Sequence, residues 1–254
     1  MSQPPVHSDP LRITSLGRIS YDEGYALQCQ LRKTLIDARS QNTPTTAPPA
    51  TAPPMNLLLL EHDPPVITVS KRPEACKHII ASAERLEELG IEIKKTDRGG
   101  DITYHGPGQL VAYAILDLKR LHLGVSEYMR TLEEIVINTL DQFNIKGIRD
   151  PKATGVWVSP DPDADRANST TQPAKICAMG VRVSRWVTIH GLALNVTTDL
   201  SHFQTIIPCG LAGRPVTSIE NIMKSRNQSV PGMEQVREIL AREFTKMITE
   251  RLNG

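Results

Sequence analysis

Apolar and polar positions alternate along this chain in two periods. Leu57 to Leu60 and Val66 to Val69 are short apolar runs flanking Pro64 and Pro65, which predicts two strands. Ala81 to Leu89 has helical spacing, with Gly90 where a helix C-cap belongs. Ile91 to Lys94 alternates as a strand does, and Gln109 to Leu118 predicts a longer one. Ser126 is placed to cap a helix reaching about Phe143, with Met129, Leu132, Val136, Leu140 and Phe143 on one stripe. Thr154 to Val158, Lys175 to Trp186 and Val187 to Val196 predict consecutive strands. A last amphipathic helix begins near Pro231 and carries Val236, Ile239, Leu240, Met247 and Ile248. Strands and helices interleave, yet several strands are adjacent. The fold class expected is α+β (mixed α/β), a mixed β-sheet flanked by helices.

Two stretches break the patterning. Residues 40–55 are Pro, Thr and Ala without a charge, and residues 159–173 are acidic and polar with three prolines. Neither can bury apolar area, so both are expected to be flexible insertions in one catalytic domain spanning residues 1–254. The composition permits that core: 39% of residues are hydrophobic, and with only 4% aromatic it must rest on Val, Ile, Leu and Ala. A net charge of +1 argues against general binding to nucleic acid or a membrane surface. No apolar run reaches the length of a membrane span. The first twenty residues lack the apolar centre of a secretory signal and resemble a transit peptide only weakly.

Chemistry concentrates in three places. The segment Arg98-Gly-Gly-Asp-Ile-Thr-Tyr-His-Gly-Pro-Gly-Gln109 combines dense glycine with polar side chains, which reads as a loop that lets backbone approach a ligand. It is no dinucleotide or phosphate loop, because neither G-x-G-x-x-G nor G-x-x-x-x-G-K-[ST] occurs. In His190 to Asn195, Gly191 and Ala193 leave room along a strand, suited either to close sheet packing or to the wall of an alkyl tunnel. The third place is a thiol. The four cysteines form no CxxC and no zinc spacing, and the histidines show no paired spacing, so no metal is expected. Cys209 sits between Pro208 and Gly210 in a connection, where a thiol can be exposed. Its rival is Cys177, which two-residue alternation sets on one face with Lys175. A thiol of ordinary pKa is only ~3% thiolate at neutral pH, so a nearby ammonium changes its reactivity greatly.

The segments RGGDITYHGPGQLVAYAILDL, KICAMGVRVSRWVTIHGLALNV and PCGLAGRPVTSI together resemble the lipoyl(octanoyl) transferases, from about Leu57 onward. The resemblance implies the fold of the biotin and lipoate protein ligase catalytic domain. It implies transfer of an octanoyl group from octanoyl-acyl carrier protein to a lysine of a lipoyl domain, through a cysteine thioester and without a cofactor. The acceptors so implied are the lipoyl domains of 2-oxoacid dehydrogenase complexes and the glycine cleavage H protein. The thioester cysteine falls on Cys209 and its activating lysine on Lys175. Acyl-substrate contacts fall on Arg98, Gly99, Gly100, Asp101, Ile102, Thr103, Tyr104 and His105, on Ala178, Met179 and Gly180, and on Gly191, Leu192 and Ala193. A monomer is expected. The insertions are unusual for bacterial members, which suggests a eukaryotic, mitochondrial protein, with a bacterial cytoplasmic enzyme as the alternative.

Other readings remain. An ATP-dependent lipoate or biotin ligase on the same fold would need no nucleophilic cysteine. A non-catalytic module binding acyl carrier or lipoyl domains would need neither Cys209 nor Lys175. A redox protein would want paired thiols, which the spacing does not supply.

Overall fold

The apolar strands pair into two sheets. The computed structural model describes residues 9–41, 52–159, 172–207 and 214–253. Among these, seven strands form the main sheet: β1 (Leu11–Ile19), β2 (Met55–His62), β6 (Gln109–Ile115), β10 (Val187–Asn195), β9 (Ala174–Ser184), β8 (Val156–Val158) and β7 (Gly147–Arg149), in that spatial order. β1 and β2 run parallel, and every other pair is antiparallel. A smaller sheet places β3 (Val66–Val69) between β4 (Glu92–Lys95), to which it runs parallel, and β5 (Ile102–His105), to which it runs antiparallel.

Alternation along β2 sorts its leucines onto two faces. Leu57 and Leu59 enter the large core, where α3 (Val125–Asp141) and α5 (Met233–Asn253) bring Leu132, Val136, Leu140, Leu240, Phe244 and Ile248. Leu58 and Leu60 face the other way, against Leu35 and Ile36 of α1 (Tyr21–Gln41). Both faces are covered, so β2 reads as a continuous apolar run. A third core unites the small sheet with α2 (Ala83–Glu88). The predicted helix end is found there: Gly90 has φ +63°, its N–H bonds Glu87 O, and Ile91 N–H bonds Leu86 O. These are the two hydrogen bonds of a Schellman motif, and Ile91 and Leu86 meet in the small core as that motif favours.

Several expectations need correction. Ser126 does not cap α3: the helix starts at Val125 after extended Gly124, and no side chain caps it. The helix thus starts two residues before the position that a Ser126 cap implies. Leu11 to Ile19 is a strand of the main sheet, within a stretch only compared with leader sequences. Ser40 and Gln41 close α1, and Met55 opens β2, so both margins of the first presumed insertion are ordered. Its middle, residues 42–51, and residues 160–171 of the second lie outside the described residues.

Candidate active site

In antiparallel pairs, residues directly opposite share a face. Ala193 opposes Ala178, Gly191 opposes Gly180, and Tyr113 opposes Gly191 across β6. Ala193 and Tyr113 belong to the α1 side, which puts the block of small residues Ala178, Gly180, Gly191 and Ala193 on that face. These short or absent side chains border a narrow pocket that is partly open to solvent, with about 470 Å³ of atom-free space when the solvent at its mouth is counted. Thr103 and His105 of β5 and Thr68 of β3 border it from the small sheet, and Tyr21 borders it from the start of α1. The Arg98 guanidinium also borders it, braced by Nε–H to Thr68 Oγ1 (3.1 Å), Nη2–H to Thr68 O (2.8 Å) and Nη1–H to Gly99 O (3.0 Å).

Ten residues proposed from sequence meet here: Arg98, Gly100, Thr103, His105, Ala178, Met179, Gly180, Gly191, Leu192 and Ala193. Four do not line the cavity. Residues 102–105 form a strand instead of a loop, so Ile102 and Tyr104 alternate away into the small core. Asp101 pairs with His78, Oδ2 to Nδ1 at 2.5 Å. Gly99 donates its N–H to Val181 O at 2.9 Å, tying the segment to β9.

Tyr21, Thr68, Tyr113 and His190 line the cavity without having been assigned to a site from sequence, His190 only as the first residue of a stretch picked for Gly191 and Ala193. Only Tyr113 carries a local signal, as a hydroxyl-bearing ring on the cavity face of an apolar strand. These polar groups are internally partnered. Tyr21 Oη–H donates to Thr96 Oγ1 (2.8 Å). His62 Nδ1 lies 3.1 Å from Ile19 O and Nε2 lies 2.7 Å from Tyr113 Oη. A carbonyl only accepts, so Nδ1 carries the proton and Nε2 accepts from the tyrosine. His105 Nδ1 meets Gln109 Oε1 (2.7 Å), Gln109 Nε2–H donates to Asn195 Oδ1 (2.9 Å), and Asn195 Nδ2–H donates to Thr217 O (3.0 Å). His190 has φ +62° and sets Nε2 2.9 Å from Asp97 Oδ1. Asp97 also receives the Tyr25 hydroxyl (2.9 Å) and pairs with Arg182.

Burial holds His62 neutral, with its pKa lowered from 6.5 to about 4, and pushes His105 and His190 down as well. The unfolded chain therefore protonates His62 first. The stabilisation from keeping it neutral is present in full above pH 6.5 and is lost as pH falls through about 4. At ~1.4 kcal/mol per pH unit, this amounts to about 3 kcal/mol. Urea unfolding is expected to show that loss across this interval, and His62→Gln should flatten the slope. An unchanged slope in the variant would count against the assignment.

Lys175 lies on β9, three residues before Ala178, and is 8% exposed. Its N–H donates to Pro215 O and its C=O accepts from Thr217 N–H, both at 2.9 Å. Its Nζ stands 4.6 Å from the Trp157 ring centroid. The register shifts between Val156 and Trp157, so Lys175 opposes Trp157 while Cys177 opposes Val156. Ile176 and Cys177 both enter the large core, and the alternation that placed Cys177 beside Lys175 is broken. Cys177 is fully buried, and burial pushes its thiol pKa well up, which makes it a poor nucleophile. Cys29 is half-buried and Cys76 exposed. Cys209 lies outside the described residues.

The sequence profile of the Lipoyl protein ligase A/B catalytic domain matches residues 24–245. Octanoyltransferases of Acidobacterium capsulatum and Flavobacterium psychrophilum are 42% and 39% identical, each over 93% of this chain and over 89% and 96% of their own lengths. That of Solibacter usitatus is 45% identical over 82% of this chain and 81% of its own. Among solved structures, a bi-partite lipoate protein ligase from Thermoplasma acidophilum superposes with TM-score 0.62 at 17% identity, over 94% of this chain and 83% of the other. P. falciparum LipL1 in complex with lipoate gives 0.65 at 15%, over 96% and 64%. The expected fold is confirmed. These octanoyltransferase relatives are bacterial, so the mitochondrial expectation drawn from the insertions has no support and the bacterial alternative is the one they favour. The chain belongs to the lipoyl protein ligase A/B catalytic-domain family, and its octanoyltransferase relatives make it an acyltransferase.

Proposed function

We propose that this enzyme takes an octanoyl group from octanoyl-acyl carrier protein onto Cys209 as a thioester and passes it to a lysine of a lipoyl domain, with Lys175 as the thiol's proton partner. It acts as a monomer and a single catalytic domain, with insertions within residues 40–55 and 159–173. Its acceptors are the lipoyl domains of 2-oxoacid dehydrogenase complexes and the glycine cleavage H protein. One observation carries the reading: β9 supplies both Lys175 and, three residues on, a cavity wall of small residues suited to an alkyl chain. Two further points support it. The segment that bonds Lys175 begins at Pro215, six residues after Cys209 in the sequence. The competing thiol, Cys177, is buried and its ionisation is suppressed.

The chemistry balances without ATP. The Cys209 thiolate attacks the donor thioester and expels the carrier thiol, so one thioester replaces another. The neutral acceptor amine then attacks, its nitrogen loses a proton, the Cys209 thiol is released and an amide forms downhill. Lys175 takes the thiol proton in the first half and hands it to the departing carrier thiolate, then takes the amine proton in the second half and hands it to the Cys209 thiolate. Octanoyl carrier protein and an apo lipoyl domain should give the octanoyl amide with no nucleotide present. Product formed only from free octanoate with ATP would place the chain among the ligases instead.

A further inference from the structure

The Lys175 side chain is a flexible four-carbon stem, and a base must be held in one place to meet a thiol. Among the described residues no carboxylate lies within ion-pairing distance of Lys175, so something else orients it. Three observations converge on Trp157. It is Lys175's cross-strand neighbour in β8, its ring lies 4.6 Å from Nζ, and it is 1% exposed. A buried indole face attracts an ammonium through its ring quadrupole.

The indole is itself braced. The Arg214 guanidinium carbon stands 3.7 Å from its centroid, and Arg214 Nη2 is 2.5 Å from Asp150 Oδ2. Asp150 neutralises that second cation, so Arg214 stacks on the ring with its own charge compensated. On the stem side, a Cβ at Gly155 would stand 3.6 Å from Lys175 Cε, so the backbone of β8's entry passes directly beside the chain.

We infer that Trp157 is a positioning residue for the reaction, holding the Lys175 ammonium by its ring face, with the Asp150–Arg214 pair bracing the indole. Trp157 does not line the cavity and acts through Lys175. The inference rests on the reading of Lys175 as proton partner. A carboxylate in the same place would hold the charge more tightly and resist the deprotonation that the second half-reaction requires, whereas a π-face orients the group without binding a proton.

The test is a double-mutant cycle on the full-length enzyme, following acyl-enzyme formation from octanoyl carrier protein in single turnover as a function of pH. Trp157→Leu should slow that step by on the order of tenfold, Trp157→Phe should recover most of the rate by restoring a ring face, and apparent affinity for the carrier should not move. In a Lys175→Met background the Trp157→Leu change should have no further effect. An equal loss in both backgrounds, or an equal loss with Phe and Leu, would overturn the inference and leave Trp157 a packing residue. Full activity of Lys175→Met would instead remove the reading beneath it. Thermal melts of each variant report folding, and Arg214→Met, with no change to the indole itself, should give a smaller loss of the same kind. An unchanged rate in both Trp157→Leu and Arg214→Met would also overturn it.

Discussion

Lys175→Met is expected to slow acyl-enzyme formation by at least about a hundredfold while leaving the fold intact, the range of a lost general base or acid. The fold survives because Lys175 is tied to its neighbours by backbone. Its N–H and C=O pair with Pro215 and Thr217, and those bonds do not depend on the side chain. Methionine matches the length of the lysine stem and its sulfur packs favourably against an aromatic ring, so it can occupy the same place beside Trp157. What disappears is the proton-accepting nitrogen. The expected result is a fall in the rate of the chemical step with little change in apparent affinity for the donor, and a melting temperature close to that of the parent. Single-turnover intact mass reads the first and calorimetry the second. A normal rate would exclude Lys175 as activator of the thiol.

Gly191→Ala is expected to cost at least about 3 kcal/mol of stability, among the larger effects of a single methyl group. A Cβ built at Gly191 would stand 2.1 Å from the Ala112 carbonyl oxygen. That oxygen belongs to β6, whose pairing with β10 sits at the centre of the main sheet, so neither strand can yield without separating the ladder. Gly180 is a useful contrast. There a Cβ would stand 2.7 Å from Gly99 O, in a connecting segment that the Gly99 N–H ties to β9 but that belongs to no strand ladder. Gly180→Ala should therefore cost less stability than Gly191→Ala in urea unfolding. Equal and small effects at both positions would mean that β10 does not approach β6 as closely as the structure has it.

The apolar runs of β2, β3, β6 and β10 were legible because strands buried on both faces have few polar interruptions. The bounds of α1 were not, because its buried positions mix Tyr21, Gly24 and Gln28 with Leu35 and Ile36, so no continuous apolar stripe stands out. β5 was hidden for the opposite reason: four glycines in twelve residues suggested a loop, yet Ile102 to His105 pairs in register with β3. The resemblance carried acyl contacts onto every residue from 98 to 105, Ile102 and Tyr104 included, and strand alternation turns those two into the small core. Gly191 and Ala193 were singled out because a missing or short side chain is visible in sequence, but it is their cross-strand partners that put them on the cavity wall. Tyr21 and Thr68 reach the same cavity from other elements, and their part in it follows only from how the sheets close on each other. Lys175 was named with Cys209 as its partner, while two-residue alternation alone set Cys177 beside it. A one-residue bulge after Lys175 exchanges Cys177 for Trp157 beside it, and nothing in the local pattern announces a bulge.

The central claim is that the acyl group rests on Cys209. Intact-mass spectrometry with peptide mapping, after the enzyme meets octanoyl carrier protein without an acceptor, tests it directly. The account predicts one octanoyl group per chain, on the Cys209 peptide, labile to hydroxylamine, and absent from Cys209→Ala. An octanoyl group that persists in that variant, or that maps to Cys177, would contradict it.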